Sequence, residues 1–326
     1  MGVPDDKETI LLIDGLSVFT RNYLGNPLMS TEGELMGGAV GTASLVSRIS
    51  RQLKPKNIYM VWESGGSKKR RAIYPEYKAN RKPKKMNRFY GKDIPDSPEN
   101  EMQQKIVAVK LLKTVPVCQI YVPNCEADDV IGYLCRNRFK NNKKIIVSSD
   151  KDYYQLLDSN TWIYSPGKKI FIYEEDVKKE FDITAKNFCV AKAFCGDSSD
   201  NIKGIDRVGF KNLPKKFPIL GSDHETSVEE LLTLNEQKMV TDKKAAKLKI
   251  HQRIKSNSDI VRRNWKLMYL DTAMLSIQQI NKINKIIDSY KPKKSKFRLI
   301  KVRRKFQLEQ AIDTNLFMGG FSHFTV

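Results

Sequence analysis

Three short apolar runs in this chain each stop on an acid. Ile10 to Ile13, inside ETILLID, gives way to Asp14, and Ile58 to Trp62 gives way to Glu63. Ile145 to Val147 is followed by two serines and Asp150. Each run is short, continuous and rich in branched residues, which predicts a buried strand. Between the second and third, Val130, Ile131, Leu134 and Phe139 recur at helical period over residues 126–139. Further on, 161–164 and 169–173 read as two strands about the turn Ser165-Pro166-Gly167. Residues 176–181 and 184–195 read as helices, and the chain from Ser222 onward as mainly helical. Strands alternating with helical segments predict right-handed crossovers and a mostly parallel α/β sheet. All three acids then stand at one edge of the sheet, beyond the carboxyl ends of the strands, where ligands bind.

More acids join them. Glu126, Asp128 and Asp129 head the helical segment, and Asp152 follows Asp150 by two positions. One acid at a helix start or strand end is an N-cap or a solvated turn residue. A converging set is different, because two carboxylates ~4 Å apart repel by roughly 4 kcal/mol at an effective dielectric of 20. Such crowding is relieved by shared protons or by cations, and oxygen-only ligands suit Mg²⁺ or Mn²⁺.

The charge of the whole chain changes the picture next. With 58 Lys and Arg against 37 Asp and Glu in 326 residues, the net charge is +21, so a polyanion is the expected partner. The cations are grouped. Residues 68–92 hold eleven Lys or Arg against the single acid Glu76, with Tyr74, Tyr77, Phe89 and Tyr90 interleaved. Cations neutralise phosphates and aromatic faces stack on unpaired bases, a composition suited to a single strand. Pro75 and Pro83 bracket at most two helical turns, on which Lys78 and Arg81 would share a face. Lys243, Lys244, Lys247, Lys249, Arg253 and Lys255 form a second basic face, and residues 291–305 hold nine cations and no acid.

Residues 196–212, GDSSDNIKGIDRVGFKN, add Asp197 and Asp200 and place Gly204 and Gly209 in a turn between short helices. The exposed N–H groups of such a turn hold a phosphate without reading sequence. The three His lie far from the acids, which argues against His-based catalysis and zinc. Five Cys without a CxxC pair fit reduced thiols. No apolar run approaches a membrane span of about 18 residues, and the N-terminus reads as neither signal peptide nor myristoylation site. A soluble cytoplasmic protein is expected.

Five stretches taken together, LLIDG at 11–15, YPEYKANR at 74–81, EADDVIG at 126–132, SSDKD at 148–152 and GDSSDNIKGI at 196–205, resemble the 5′-nuclease family. That family comprises flap endonucleases, the 5′-nuclease domain of bacterial DNA polymerase I and free-standing bacteriophage exonucleases. The likeness covers about the first 210 residues; beyond them the chain looks most like the phage members of ribonuclease H type. The resemblance implies one metal among Asp14, Glu63, Glu126, Asp128 and Asp129, and a second among Asp150, Asp152, Asp197 and Asp200. It implies that Lys78 and Arg81 are the basic pair of a helical arch and that Gly204 and Gly209 belong to a helix-turn-helix grip on phosphate. Glu63 stands where the family has Asp. Arg207 and Asn212 replace the family's Gly and Thr or Ser, so no potassium ion is expected in that turn.

The expected molecule is therefore a PIN-like α/β nuclease core over residues 1–182, with its basic arch near 64–98. A helical DNA-binding domain would follow over 183–326, with the helix-turn-helix at 196–213. Lys78, Arg81, Asp128 and Asp150 are the expected catalytic residues. Arg70, Arg71, Tyr77, Lys78, Arg81, Lys84, Lys85, Gly204, Gly209 and Lys211 are the expected nucleic-acid contacts. Two Mg²⁺ ions, replaceable by Mn²⁺, would act on DNA or RNA–DNA hybrids with free 5′ ends, in a monomer. A phage replication role with a single-strand-binding protein or sliding clamp as partner is expected. The rivals are a PIN-type ribonuclease and a non-catalytic basic nucleic-acid-binding protein. A haloacid-type phosphatase is set aside, because its second Asp would fall where Leu16 stands.

Overall fold

The computed structural model of the protein describes residues 9–63, 65–81 and 98–326. Its centre is β1 (Ile10–Asp14), whose five residues are all buried. A strand buried on both faces needs apolar side chains throughout, which is why ILLI shows no alternation. After β1 come α1 (Gly15–Gly25), α2 (Gly37–Leu53), β2 (Asn57–Trp62), α3 (Lys68–Ile73) and α4 (Pro98–Leu112). β3 (Cys118–Tyr121), α5 (Ala127–Tyr133), β4 (Lys144–Val147), β5 (Thr161–Ser165) and β6 (Ile170–Ile172) complete the sheet region. The strand order is β3-β2-β1-β4-β5-β6, parallel except for β6, which runs antiparallel to β5. β1 therefore lies between β2 and β4, with Asp14 opposite Val61 and Ile13 opposite Val147. That register brings Asp14, Glu63 and the loop after Val147 to one edge.

β3 is the strand that the pattern of acid-terminated runs does not reveal. It lies at the end of the sheet, its Cys118 and Ile120 inward and its Gln119 and Tyr121 turned partly or wholly to water. Helices α1, α2 and α4 share one core with the sheet, and α5 lies in another that contains Val61, Ile120 and Ile146.

A third apolar cluster builds the helical lobe. It includes α6 (Glu174–Phe181) at its margin, α7 (Phe188–Cys195), and the hairpin of β7 (Gly196–Asp197) and β8 (Ile202–Lys203). Then follow α8 (Leu213–Lys216), α9 (Val228–Thr241), α10 (Lys243–Lys247), α11 (Lys249–Ser256) and α12 (Ser258–Met268). The remaining helices return to the sheet. Ile283 and Ile287 of α13 (Ile277–Ser289) join the α5 core, while Leu299 of α14 (Lys296–Lys305) and Phe317 of α15 (Thr314–Gly319) join the α1–α2 core. The expected helical domain over 183–326 thus forms a lobe only to about residue 268. The last helices belong with the α/β layer because their apolar stripes find uncovered core there.

Two local departures bear on the site. No helix forms over residues 74–81: α3 ends at Ile73, and Lys78 takes a left-handed backbone with φ 58°. Between α7 and α8 the expected turn is preceded by the β7–β8 hairpin. There Gly204 approaches the Cys195 backbone so closely that a Cβ would lie 2.2 Å from its carbonyl, whereas a Cβ on Gly209 would meet nothing within 4 Å. Arg207 has φ 58°, the conformation for which a glycine is ordinarily used. Asn212 bridges the same loop, donating from Nδ2 to the Arg207 carbonyl at 2.7 Å and accepting from the Gly209 N–H at 2.8 Å.

Candidate metal centre and nucleic-acid interface

A cleft of about 440 Å³ opens at the carboxyl edge of the sheet, lined by Asp14, Glu63, Lys78, Arg81, Asp128 and Asp150 among others. Each acid is delivered by a different element. Asp14 ends β1 and caps α1, accepting from the Ser17 N–H at 2.9 Å. Asp128 lies in the first turn of α5. Asp150 caps the 3₁₀ turn 151–156 after β4, accepting from the Asp152 N–H at 2.9 Å. Capping thus fixes two carboxylates at the start of two elements that leave the same edge.

For Asp14, Asp128 and Asp150 no cation lies close enough for a salt bridge among the described residues; their side-chain donors are neutral hydroxyls. The Tyr153 hydroxyl is 2.6 Å from Asp128 Oδ1 and 3.2 Å from Asp14 Oδ2, and Ser148 Oγ is 3.2 Å from Asp14 Oδ2. Burial, reinforced by the Asp150 charge, pushes Asp14 up from near 3.8 to about 6. Burial and the charges of Asp150 and Asp14 push Asp128 well above its ordinary value, and loss of hydration also raises Asp150.

A second group sits beside the first. Single oxygens of Asp152, Asp197 and Asp200 all lie within 4.8 Å of one another. Here positive charge is built in. Lys192 Nζ contacts Asp152 Oδ1 and lies 2.6 Å from Asp197 Oδ2. Arg81 reaches Asp200 at 2.8 Å, and Lys78 lies 3.8 Å from it. Burial alone would raise Asp197, but Lys192 and the Ser199 hydrogen bonds bring it down to about 2. Lys78 joins the groups, since its Nζ is also 2.8 Å from Glu126 Oε2. Burial works against the charge on Lys78, but Glu126 and Asp200 outweigh it and raise its pKa. Lys78 and Arg81 therefore converge as expected, through a left-handed turn rather than one helix face.

Four expected site residues are placed differently. Asp129 is fully buried, with its two oxygens 2.7 Å from Arg70 Nη1 and Nη2, and it caps its own helix through the Glu126 N–H. A carboxylate so engaged is a structural pair, not an open metal ligand. Arg70 is 2% exposed, donates from Nε to the Leu267 carbonyl and also lies 3.4 Å from Glu126 Oε2, so it ties α3 to α12 and is turned away from any phosphate in solution. Tyr77 is buried, its hydroxyl 2.8 Å from Glu126 Oε2 and 3.1 Å from Asp200 Oδ2 with one proton to donate, so its ring offers no stacking face. Gly204 serves the close approach to Cys195, leaving Gly209 as the open glycine of the turn. Arg71 and Lys211 are exposed, while Lys84 and Lys85 lie outside the described residues.

Lys192, Tyr153 and Ser148 are the site residues that sequence reasoning misses. Lys192 carried a signal, being a lone cation in the otherwise apolar helix FCVAKAFC. Ser148 lay within the SSDKD stretch but was given no role there, and Tyr153 carried no signal, since a buried Tyr beside a strand is ordinary core. A larger recess of about 530 Å³, lined by Trp265 and Tyr269 in the helical lobe, contains none of these acids.

The donor set is oxygen only, and Asp14, Asp128 and Asp150 have no salt bridge among the described residues, so the residues present fit a hard divalent cation. Residues 9–182 match the family described as 5′-3′ exonuclease, N-terminal resolvase-like domain. The chain belongs to the 5′-3′ exonuclease family. It is therefore, by family, a 5′ nuclease, a hydrolase of nucleic-acid phosphodiesters. A 5′-3′ exonuclease of Buchnera aphidicola is 29% identical over 205 residues, 62% of this chain and 67% of the relative. DNA polymerase I of Caldicellulosiruptor bescii is 29% identical over 231 residues, which span 68% of this chain but only 25% of the polymerase. The fold matches the flap endonuclease of bacteriophage T5, solved as a pseudo-enzyme-product complex with DNA and metal ions (TM-score 0.67, 19% identity, 86% of this chain and 98% of that one). It also matches flap endonuclease-1 of Methanococcus jannaschii (TM-score 0.56, 14% identity, 97% and 93%). Among the described residues no helix is long and apolar enough to cross a membrane.

Proposed function

We propose that this 5′ nuclease cleaves phosphodiesters near free 5′ ends of branched or nicked DNA and of RNA primers on DNA, using Mg²⁺ or Mn²⁺ held by two carboxylate groups. The observation that carries the reading is the convergence of Asp14, Asp128 and Asp150 in one cleft with no salt-bridge partner among the described residues. Asp14, Asp128, Asp150 and Glu63 would hold the first ion, with Glu126 reaching it when Lys78 lets go. Asp152, Asp197 and Asp200 would hold the second.

Divalent ions bound there supply Lewis-acid charge and a water of lowered pKa. The chain's own residues do the rest. Lys78 and Arg81, at the mouth of the cleft, offset charge growing on the scissile phosphate. For that they would leave Glu126 and Asp200, two carboxylates that would then be open to a cation. The open turn at Gly209, whose own N–H is taken by Asn212, would approach the duplex closely and hold it through exposed Lys211 and neighbouring backbone N–H groups, independent of sequence. Products carry a 5′-phosphate and a 3′-hydroxyl. We further infer a cytoplasmic protein, and a monomer because the acids and the cations Lys78 and Arg81 of the site come from one chain.

The test is digestion of a 5′-labelled flap duplex with Mg²⁺ and then with chelator. Cleavage near the junction that stops on chelation supports the reading. Retained binding without cleavage in Mg²⁺ would favour a non-catalytic nucleic-acid-binding protein.

A further inference from the structure

Tyr153 follows Asp152 in the 3₁₀ turn after β4, and its side chain is wholly buried. Its ring belongs to the core shared by α5 and the sheet, which accounts for the ring but not for the hydroxyl. A phenylalanine would fill the same volume without placing an O–H among carboxylates. That O–H has a single proton to donate. The shorter contact assigns it to Asp128 Oδ1 at 2.6 Å; Asp14 Oδ2, at 3.2 Å, has Ser148 Oγ as an alternative donor. Asp128 Oδ1 is thereby engaged, whereas Oδ2 has no hydrogen-bond partner among the described residues.

We propose that Tyr153 is a positioning residue for the first cation: its hydroxyl pins one oxygen of Asp128 and so presents the other to the ion. The inference rests on the cation-dependent reading above. A group that orients a ligating carboxylate in this way changes affinity without touching the ion, and losing it costs roughly 10- to 100-fold in metal binding. Tyr153 itself is wholly buried while Asp128 is partly exposed in the cleft, so the hydroxyl holds Asp128 from the protein side.

Calorimetric titration of the DNA-free protein with Mn²⁺ tests this, using wild type, Tyr153→Phe, Tyr154→Phe and Asp128→Asn. Tyr154 is the control, being also buried but packed on Phe181 and Phe188. Tyr153→Phe should weaken Mn²⁺ binding roughly tenfold, while Tyr154→Phe leaves it unchanged. Melting in chelator confirms that each variant is folded; Phe preserves the packed volume. In single-turnover cleavage, Tyr153→Phe should need more Mg²⁺ to reach a plateau close to the wild-type rate, which a general loss of structure would not produce. If Tyr153→Phe binds Mn²⁺ like wild type while Asp128→Asn does not, the inference is wrong and the cation site stands. If Asp128→Asn also binds like wild type, the cation reading itself fails.

Discussion

The two acidic groups of this cleft are built from the same side chain and differ in what surrounds it. Asp14, Asp128 and Asp150 face one another with only hydroxyls and backbone N–H groups to accept from, and all three are pushed up. Asp152, Asp197 and Asp200 are threaded with Lys192, Arg81 and Lys78, and Asp197 is held near 2. The contrast separates two ways of stabilising crowded carboxylates. The second group balances its charge with the chain's own cations. The first leaves a deficit, which a bound ion would fill. A site that stores repulsion in this way is poised for a cation and is less stable without one.

The comparison breaks most visibly at Asp128. Asp128→Asn removes a ligand and a repelling charge together. Cleavage of a flap should fall by roughly a thousandfold or more, while the melting temperature in chelator rises. Single-turnover cleavage paired with thermal melting checks both signs. A variant that is inactive and also less stable would mean that Asp128 supports the fold rather than storing repulsion.

Lys78 lies where the groups meet, so its loss should register in rate. Lys78→Ala should lower the single-turnover rate roughly a hundredfold with little change in affinity for the flap. An equal loss in affinity and rate would make Lys78 a general phosphate contact.

Lys192 tests the other half of the comparison. Lys192→Met leaves Asp152 and Asp197 facing each other unpaired, which should cost roughly 3–5 kcal/mol in chelator. Added Mn²⁺ should recover more stability in this variant than in wild type. Denaturant melts with and without Mn²⁺ decide it, and a variant as stable as wild type would show that Lys192 does not balance the group.

The smallest effect is expected at Gly209, which lies outside both groups. Gly209→Val should leave melting unchanged, because a Cβ there meets nothing, yet weaken duplex binding about tenfold, or 1.4 kcal/mol. Gly204→Val should instead destabilise the lobe by roughly 1–3 kcal/mol through overpacking against Cys195. Equal affinity for Gly209→Val and wild type would take the turn off the duplex.

What could be read from the sequence follows from how each feature is encoded. Strands β1, β2 and β4 were legible because burial on both faces forces continuous apolar runs, and the acids Asp14, Glu63 and Asp150 mark where those runs meet the open edge. β3 was not, since a half-buried strand at the end of the sheet alternates weakly and ends on no acid. The acids themselves were legible as a set but not individually. Asp128 and Asp129 are neighbours in sequence, yet one faces the cleft while the other faces Arg70, a partner 59 positions away. Helical phase separates them only once the cleft's direction is known. Lys78 and Arg81 do meet, but by a left-handed turn that no residue preference announces. The return of α13, α14 and α15 to the sheet was hidden because an amphipathic helix does not specify which uncovered core it joins.

The measurement closest to the central claim is the melting temperature of the DNA-free protein from pH 4.5 to 7.5, in chelator and in saturating Mn²⁺. Asp14 binds its proton more tightly when folded, with its pKa raised from near 3.8 to about 6. In chelator, stability contributed by the protonated form is therefore present at the acid end and lost as pH rises through about 6. Asp197, shifted the opposite way to about 2, loses its contribution only below pH 4, outside this range. Bound Mn²⁺ displaces the proton and favours the ionised carboxylates, so its stabilising effect should grow as pH rises through the same interval. The gap between the two curves should widen from pH 5 to 7 and collapse in Asp128→Asn. A gap independent of pH, or one that Asp128→Asn preserves, would contradict a cleft poised for a cation.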